Sequence, residues 1–291
     1  MLKALLISIR PTQWVKNLII FAPLVFAKQL FDQDKILLST LAFAAFCLLA
    51  GAVYLLNDLM DIEKDRKHPE KCKRPLPSGD LSPSVAVSAL VVMAAAALGA
   101  SFWLDVRFGV FAVFYFANNL AYSFFLKHIV IMDVMSIAFG FFIRVLAGAA
   151  VIAVPTTPWL LMCTILLSLF LGFAKRRHEI VLLTDQADSH RKVLEHYSPY
   201  FLDQMILVVS ASTVMSYALY TMSPETVAHF GTTKLIYTVP FVLYGIFRYL
   251  YLVHQKSGGG NPTKVLLTDR PLLGVVVLWL LTCILIIEGV L

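Results

Sequence analysis

ILLSTLAFAAFCLLAGAVYLLNDLMDIEKDRK, from Ile36 to Lys67, begins as an unbroken apolar run and ends as a dense charged segment. A helix needs about 20 apolar residues to cross a hydrocarbon core, and residues 36–57 supply that length. The acids and bases that follow then stand where such a helix leaves the membrane. Working outward, residues 17–31, 84–104, 107–126, 130–152, 158–174, 203–222, 235–254 and 271–290 read as further spans, nine with the first. The 17–31 segment is short and is broken by Pro23. None of the runs alternates with a period of two, which argues against barrel strands.

Composition agrees. Of 291 residues, 59% are hydrophobic and 14% charged, against roughly 45–50% and about 25% in an ordinary soluble domain. A water-soluble enzyme of this length could not cover its surface with so few polar groups. The 21 Phe and 11 Tyr argue equally against a disordered chain. What remains is an all-α, polytopic membrane bundle of about nine transmembrane helices, read as a single domain over 1–291. Its two long polar loops, 58–83 and 175–202, are expected to cap the active site.

Placing the helices in alternation sorts the basic residues. Lys3, Arg10, Lys16, Lys64, Arg66, Lys67, Lys71, Lys73, Arg74, Lys127, Lys175, Arg176, Arg177, Arg191, Lys192, Arg248, Lys256, Lys264 and Arg270 fall on one side, 19 of the 24. The positive-inside rule makes that side cytoplasmic, with the N-terminus inside and the C-terminus outside. The formal charge of +6 is therefore attributed to topology and anionic ligands, with no nucleic-acid partner. Cys47, Cys72, Cys163 and Cys283 show no metal-ligand spacing, and the N-terminal MLKALLISIRPTQWVKN lacks a secretory signal pattern and reads as mature protein.

Topology needs no acids in the long loops, yet they are there. On a continuous helix at about 100° per residue, Asn57, Asp58, Asp61 and Asp65 share about one quarter of the circumference. Like charges so aligned repel unless a cation lies between them. Hard carboxylate oxygens at such a place suit Mg²⁺, which keeps several waters and bridges a few carboxylates to substrate phosphates. The plainer alternative is a solvated helix end whose acids pair with Lys64, Arg66 and Lys67. Lys71, Lys73 and Arg74 follow, the complement a polyanionic substrate needs. Pro75 and Pro77 are expected to end regular structure there. Arg144 lies inside a span and must face the protein interior; Asp133, on the same face, is about 16 Å away in depth and cannot pair with it. Trp14 reads by default as an interface anchor.

NDLMDIEKD, Asn57 to Asp65, resembles the aspartate-rich NDxxDxxxD motif of UbiA-type intramembrane prenyltransferases. The likeness runs along essentially the whole chain. It implies a nine-helix enzyme with a central cavity open to the cytoplasm, in which the aspartates bind Mg²⁺-diphosphate. RPTQWVKN (Arg10–Asn17), DIEKDRKHPEKCKRP (Asp61–Pro75), LGFAKRRHEI (Leu171–Ile180) and SGGGNPTKVLLTDRPL (Ser257–Leu272) look like the decaprenyl-phosphate phosphoribosyltransferase branch. That branch implies phosphoribosyl pyrophosphate as donor and a polyprenyl phosphate lipid as acceptor, in a bacterial cytoplasmic membrane. Site residues carried over are Asp58, Asp61 and Asp65 for catalysis and metal, with Asn57 beside them. Lys16, Lys71, Lys73, Arg74, Tyr122, Lys127, Arg144, Lys175, Arg176, Arg177 and Glu179 are candidates for substrate binding. The usual second DxxxD motif is replaced by Asp185 and Asp188, spaced by three.

Two other readings stay open. One is prenyl transfer from a polyprenyl diphosphate to an aromatic or other small acceptor. The other, a transporter or membrane scaffold, would more naturally show internal repeats, and none is evident. A homo-oligomer is compatible with every one of these.

Overall fold

The computed structural model describes residues 1–67, 71–183, 194, 196–256 and 259–291, and among them regular structure is entirely helical. The chain divides into two compact units. The first is Met1–Pro155, and the second takes in the described residues from Thr156 onward.

The first unit contains α1 (Leu2–Ser8), a 3-10 segment (Pro11–Phe21), α2 (Ala22–Phe26), α3 (Gln33–Met60) and α4 (Ile62–Arg66). A 3-10 turn (Lys71–Lys73), α5 (Pro75–Ser78), α6 (Pro83–Leu104), α7 (Val106–Phe124), a 3-10 turn (Leu126–His128) and α8 (Met132–Val151) complete it. The second unit contains α9 (Pro158–Leu183), α10 (Pro199–Met222), α11 (Pro224–Phe230), a 3-10 turn (Lys234–Thr238), α12 (Val239–Gln255), α13 (Pro262–Thr268) and α14 (Arg270–Ile287).

Helix starts are written into the sequence. Ser82-Pro83, Ser198-Pro199, Ser223-Pro224 and Asn261-Pro262 each put a capping side chain before a proline in the first turn. The cap oxygen accepts from an otherwise unpaired backbone N–H, and proline lacks the N–H that would be orphaned there. Asp105 does the same between α6 and α7, accepting from Phe108 N at 2.9 Å. Asp269 caps α14 through Leu272 N at 2.9 Å and also binds Arg248 with both oxygens, at 3.1 and 2.8 Å. That guanidinium holds the Asp269 carboxyl below the usual carboxylate range.

Seven helices among the described residues are long and apolar enough to cross a membrane, so the protein is an integral membrane protein. Two of the nine expected spans are not among them. Residues 107–126 do form a helix, α7, but Arg107, Asn118 and Asn119 dilute its apolar character. Residues 17–31 form no single α-helix: an 11-residue 3-10 stretch that starts at Pro11 gives way to the five residues of α2, with Pro23 in its first turn. Two boundaries also move. α9 continues to Leu183, so residues 175–180 are helical rather than loop, no proline interrupting it after Pro158. Pro75 and Pro77 do not end regular structure; Pro75 begins α5, where proline is tolerated.

The core of the first unit gathers on α3. Phe46, fully buried, tilts against Phe108 and Tyr115 with ring centroids at 5.5 and 5.2 Å. Ile20, Leu49, Ala112 and Ile143 close around it. A smaller cluster of Ala4, Ile9, Leu55, Leu76 and Leu81 takes in Trp14 as a partly buried packing residue. The unusual 3-10 stretch packs against α8 at Gly148, where an added Cβ would collide with the Ile20 carbonyl oxygen and lie 3.0 Å from its carbon. Small residues permit such close backbone approach in membrane bundles. Gly148→Ala is therefore expected to destabilise the first unit by about 1–3 kcal/mol. A lower thermal unfolding midpoint of the purified protein in nanodiscs would show this; an unchanged midpoint would mean the segment shifts freely.

Candidate active site

The acidic residues stand where α3 gives out. The i→i−4 bonding continues through Asp61 N to Asn57 O at 3.1 Å, and Asp65 N bonds Asp61 O at 2.7 Å. Asp61 itself leaves helical geometry, with φ −107° and ψ 9°, and separates α3 from α4. One continuous helix face is therefore not what the structure holds. The carboxylates are divided between cations that arrive on different elements.

Asp58, 2% exposed, is met from two directions. Arg10, two residues past the end of α1, takes a left-handed conformation, φ 52° and ψ 66°, and Pro11 starts the 3-10 stretch after it. A residue before proline is steered away from the α region, and this turn delivers the Arg10 guanidinium to Asp58 Oδ1 and over the Tyr54 ring, 4.9 Å from its centroid. From the other side Arg74, which precedes Pro75, places Nη1 3.1 Å from Asp58 Oδ1 and 2.7 Å from Asp65 Oδ2. Lys71 Nζ lies 3.8 Å from Asp65 Oδ1. Lys127, nearly buried on the 3-10 turn after α7, places Nζ 3.0 Å from Asp61 Oδ1. Asn57 Oδ1 accepts the Ser123 hydroxyl from α7.

Three acids thus meet four cations: Arg10, Lys71, Arg74 and Lys127. The alternative pairing of these acids with Lys64, Arg66 and Lys67 is not seen among the described residues; Arg66 instead binds Glu63 at 2.8 Å. Among the described residues no three His, Cys, Asp or Glu side chains converge as a group that could hold one ion. The donor set nevertheless fits Mg²⁺. Asp58 and Asp65 come close enough to share one guanidinium nitrogen, and Mg²⁺ is commonly held by one or two carboxylates, with waters and substrate phosphates completing the octahedron.

Beneath this acidic layer lies a second polar layer. Arg144, on α8 and 7% exposed, faces the interior as its position in a span requires. Its Nε donates to Asn17 Oδ1 at 2.8 Å, Nη1 to the Gly140 carbonyl at 3.0 Å and Nη2 to the Tyr115 hydroxyl at 2.8 Å. The guanidinium also sits 4.5 Å from the Tyr115 ring centroid and 5.1 Å from that of Phe141. Every one of these partners is neutral, and Asp133, buried on the same helix, is not among them. Next to Arg144, Asn118 and Ser136 exchange hydrogen bonds between α7 and α8.

The remaining candidates are dispersed. Lys16 and Tyr122 are half-buried on the 3-10 stretch and α7, and Lys73 is exposed. Lys175, Arg176, Arg177 and Glu179 belong to α9 in the second unit. Arg176 is 1% exposed and binds Glu179 at 2.6 Å, while Lys175 lies 3.7 Å from the same carboxylate. Arg177 pairs with Asp203 of α10. Asp185 and Asp188 lie outside the described residues.

Sequence reasoning did not single out Arg10, Tyr54, Tyr115 or Ser123 for the site. Pro11 was the available signal for Arg10, since it forces a turn there. No local pattern could have paired Arg144 with Asn17, 127 positions away.

Comparison with known proteins adds to this geometry. A family model described as the UbiA prenyltransferase family matches residues 18–268. The decaprenyl-phosphate phosphoribosyltransferase of Corynebacterium glutamicum is 35% identical over 277 residues, covering 94% of this chain and 83% of that protein. Its namesake in Mycolicibacterium smegmatis is 31% identical over 297 residues, covering 96% and 91%. Among solved structures, a UbiA homologue from Archaeoglobus fulgidus bound to GPP and Mg²⁺ aligns with a TM-score of 0.74 at 17% identity, over 98% of this chain and 99% of that one.

Replacing Arg144 by Leu would strand Asn17, Gly140 and Tyr115 polar groups in a water-poor layer, at roughly 1–3 kcal/mol for each group left unsatisfied. Arg144→Leu should therefore lower the unfolding midpoint in detergent or nanodiscs, and Arg144→Lys should recover part of the loss. Unchanged stability would remove this residue from the structural frame of the site.

Proposed function

The chain belongs to the UbiA prenyltransferase family, and from that premise we propose that it transfers the 5-phosphoribosyl group of phosphoribosyl pyrophosphate to a polyprenyl phosphate, releasing pyrophosphate. The observation that carries this reading is the convergence of Asp58 and Asp65 on Arg74, ringed by more cations than acids. Such a site suits a polyanion delivered with a divalent cation. The two named phosphoribosyltransferases, similar over nearly the whole chain, supply the substrate class.

An oxygen of the acceptor's phosphate forms the new bond to C1 of the ribose as the bond from C1 to the pyrophosphate oxygen breaks. C1 gains oxocarbenium character on the way, and the bonding pair leaves with pyrophosphate. The attacking oxygen is already anionic, so no general base is needed, and positioning with charge stabilisation does the chemical work. Asp58 and Asp65 would hold Mg²⁺, with Asp61 and Asn57 alongside; the ion supplies neutralisation of the leaving group. In this proposal Lys71, Arg74 and Lys127 would turn from carboxylates to phosphate oxygens of the donor. Lys16, Lys73, Tyr122 and Arg144 are further substrate-binding residues in this proposal. Lys175, Arg176, Arg177 and Glu179 enter through the likeness of LGFAKRRHEI alone. The distribution of basic residues supports a cytoplasmic active site in a bacterial cytoplasmic membrane, with the N-terminus inside.

Purified protein with Mg²⁺ is expected to release pyrophosphate from phosphoribosyl pyrophosphate only when polyprenyl phosphate is present. Turnover of a prenyl diphosphate with 4-hydroxybenzoate instead would overturn the reading. Asp58→Asn should abolish that turnover, with membrane insertion and expression level retained; near-normal activity in this variant would show that the metal site is misplaced.

A further inference from the structure

We propose that the open groove between α1 and the start of the following 3-10 stretch docks the phosphate head of the polyprenyl phosphate acceptor, an inference that rests on the reaction proposed above. The groove has a volume of about 460 Å³ and is lined by Lys3, Leu6, Ile7, Arg10, Thr12 and Gln13, together with one proline. Two cations face it and no acid does.

α1 is short, and its faces are unequal. Ala4 and Ser8 turn inward, while Leu2, Leu6 and Ile7 stay exposed. A terminal helix that presents aliphatic side chains outward beside a lysine suits the lipid–water boundary, where apolar side chains meet acyl chains and cations meet headgroups. Lys3 is exposed and forms no ion pair or hydrogen bond with the described residues. Arg10 spends one guanidinium nitrogen on Asp58. A guanidinium has five N–H donors in a fork that matches phosphate geometry, so donors remain for a second anion. Thr12 and Gln13 add neutral hydrogen-bonding groups at the same rim.

The chemistry of the groove selects its occupant. A soluble phosphate ester would leave Leu6 and Ile7 facing water. A neutral lipid would leave Lys3 without a counter-charge. A monophosphate on a long apolar chain uses both features. Arg10 bears on the choice between lipids: it lines the groove and also touches the buried Asp58, so a phosphate held by this guanidinium would lie close to the acids where pyrophosphate would depart. Held there, the acceptor's phosphate would stand beside the reaction it enters; a bulk phospholipid, a diester, would have no nucleophilic role at that place.

The test uses the full-length protein in phosphatidylcholine nanodiscs, titrating decaprenyl phosphate at saturating phosphoribosyl pyrophosphate and then the reverse. Lys3→Glu should raise the apparent KM for decaprenyl phosphate about fivefold, what one surface cation contributes to binding an anionic lipid. The KM for phosphoribosyl pyrophosphate should stay the same. Lys3→Gln should fall between, and serves as the reading if the charge reversal impairs insertion. Replacing part of the phosphatidylcholine by phosphatidylglycerol should leave the wild-type value unmoved. An unshifted decaprenyl phosphate KM in the variants of an active enzyme overturns the groove alone. So does a parallel rise in both KM values, or a phosphatidylglycerol effect that Lys3→Glu abolishes, which would mark a general anionic-lipid site. A wild type inactive on this substrate pair overturns the functional reading and the groove with it.

Discussion

The guanidinium of Arg74 lies between the carboxylates of Asp58 and Asp65, and the first unit is arranged around that contact. Both acids are at least nineteen-twentieths buried by their side chains, at the end of a membrane-crossing helix. A buried carboxylate without a partner costs several kcal/mol, and removing one partner of such a pair leaves the other uncompensated. The chain answers with cations from three separate places. Arg10 comes from the turn after α1, Lys71 and Arg74 from the segment between α4 and α5, and Lys127 from the turn after α7. Each of those elements must therefore dock on the end of α3. The left-handed backbone at Arg10, which is unfavourable for a residue with a Cβ, is intelligible as the conformation that lets α1 end and its last charge reach Asp58.

A different solution governs the layer below. Arg144 is compensated by neutral oxygens and aromatic faces, and among the described residues by no carboxylate. This keeps a positive charge inside the bundle, held by α7, α8 and the 3-10 stretch together. The tight approach of Ile20 to Gly148 belongs to the same docking, because Asn17 can reach Arg144 only if that stretch lies close against α8. Packing of small residues and satisfaction of a buried cation are thus two aspects of one interface.

These constraints explain which parts were legible in the sequence. Apolar length and the positive-inside bias are local or summed properties, so the membrane class, most of the span boundaries and the inward orientation of Arg144 could be read directly. The aspartate spacing was legible too, as a motif at a helix end. The break at Asp61 was not, because the cations that meet these acids, Lys127 on Asp61 and Arg74 on Asp58 and Asp65, come from elsewhere in the chain. The 3-10 form of Pro11–Phe21 escaped for a related reason. Its hydrophobicity looks like part of a span, and its packing against α3 and α8, both distant in sequence, has no local pattern to announce it. Arg10 was read as a topological charge, although Pro11 beside it already signalled a turn.

The excess of cations over acids has a consequence for how ligands enter. A divalent ion arriving alone would have to share Asp58 and Asp65 with Arg10, Arg74 and Lys71, all of which repel it. A polyanion arriving alone would meet three carboxylates. In the proposed reaction Asp58 and Asp65 would hold the ion while Lys71, Arg74 and Lys127 would turn to phosphate oxygens, so that each charge would keep an opposite neighbour. On the proposed reading, such a site would suit a metal–diphosphate complex better than either component alone.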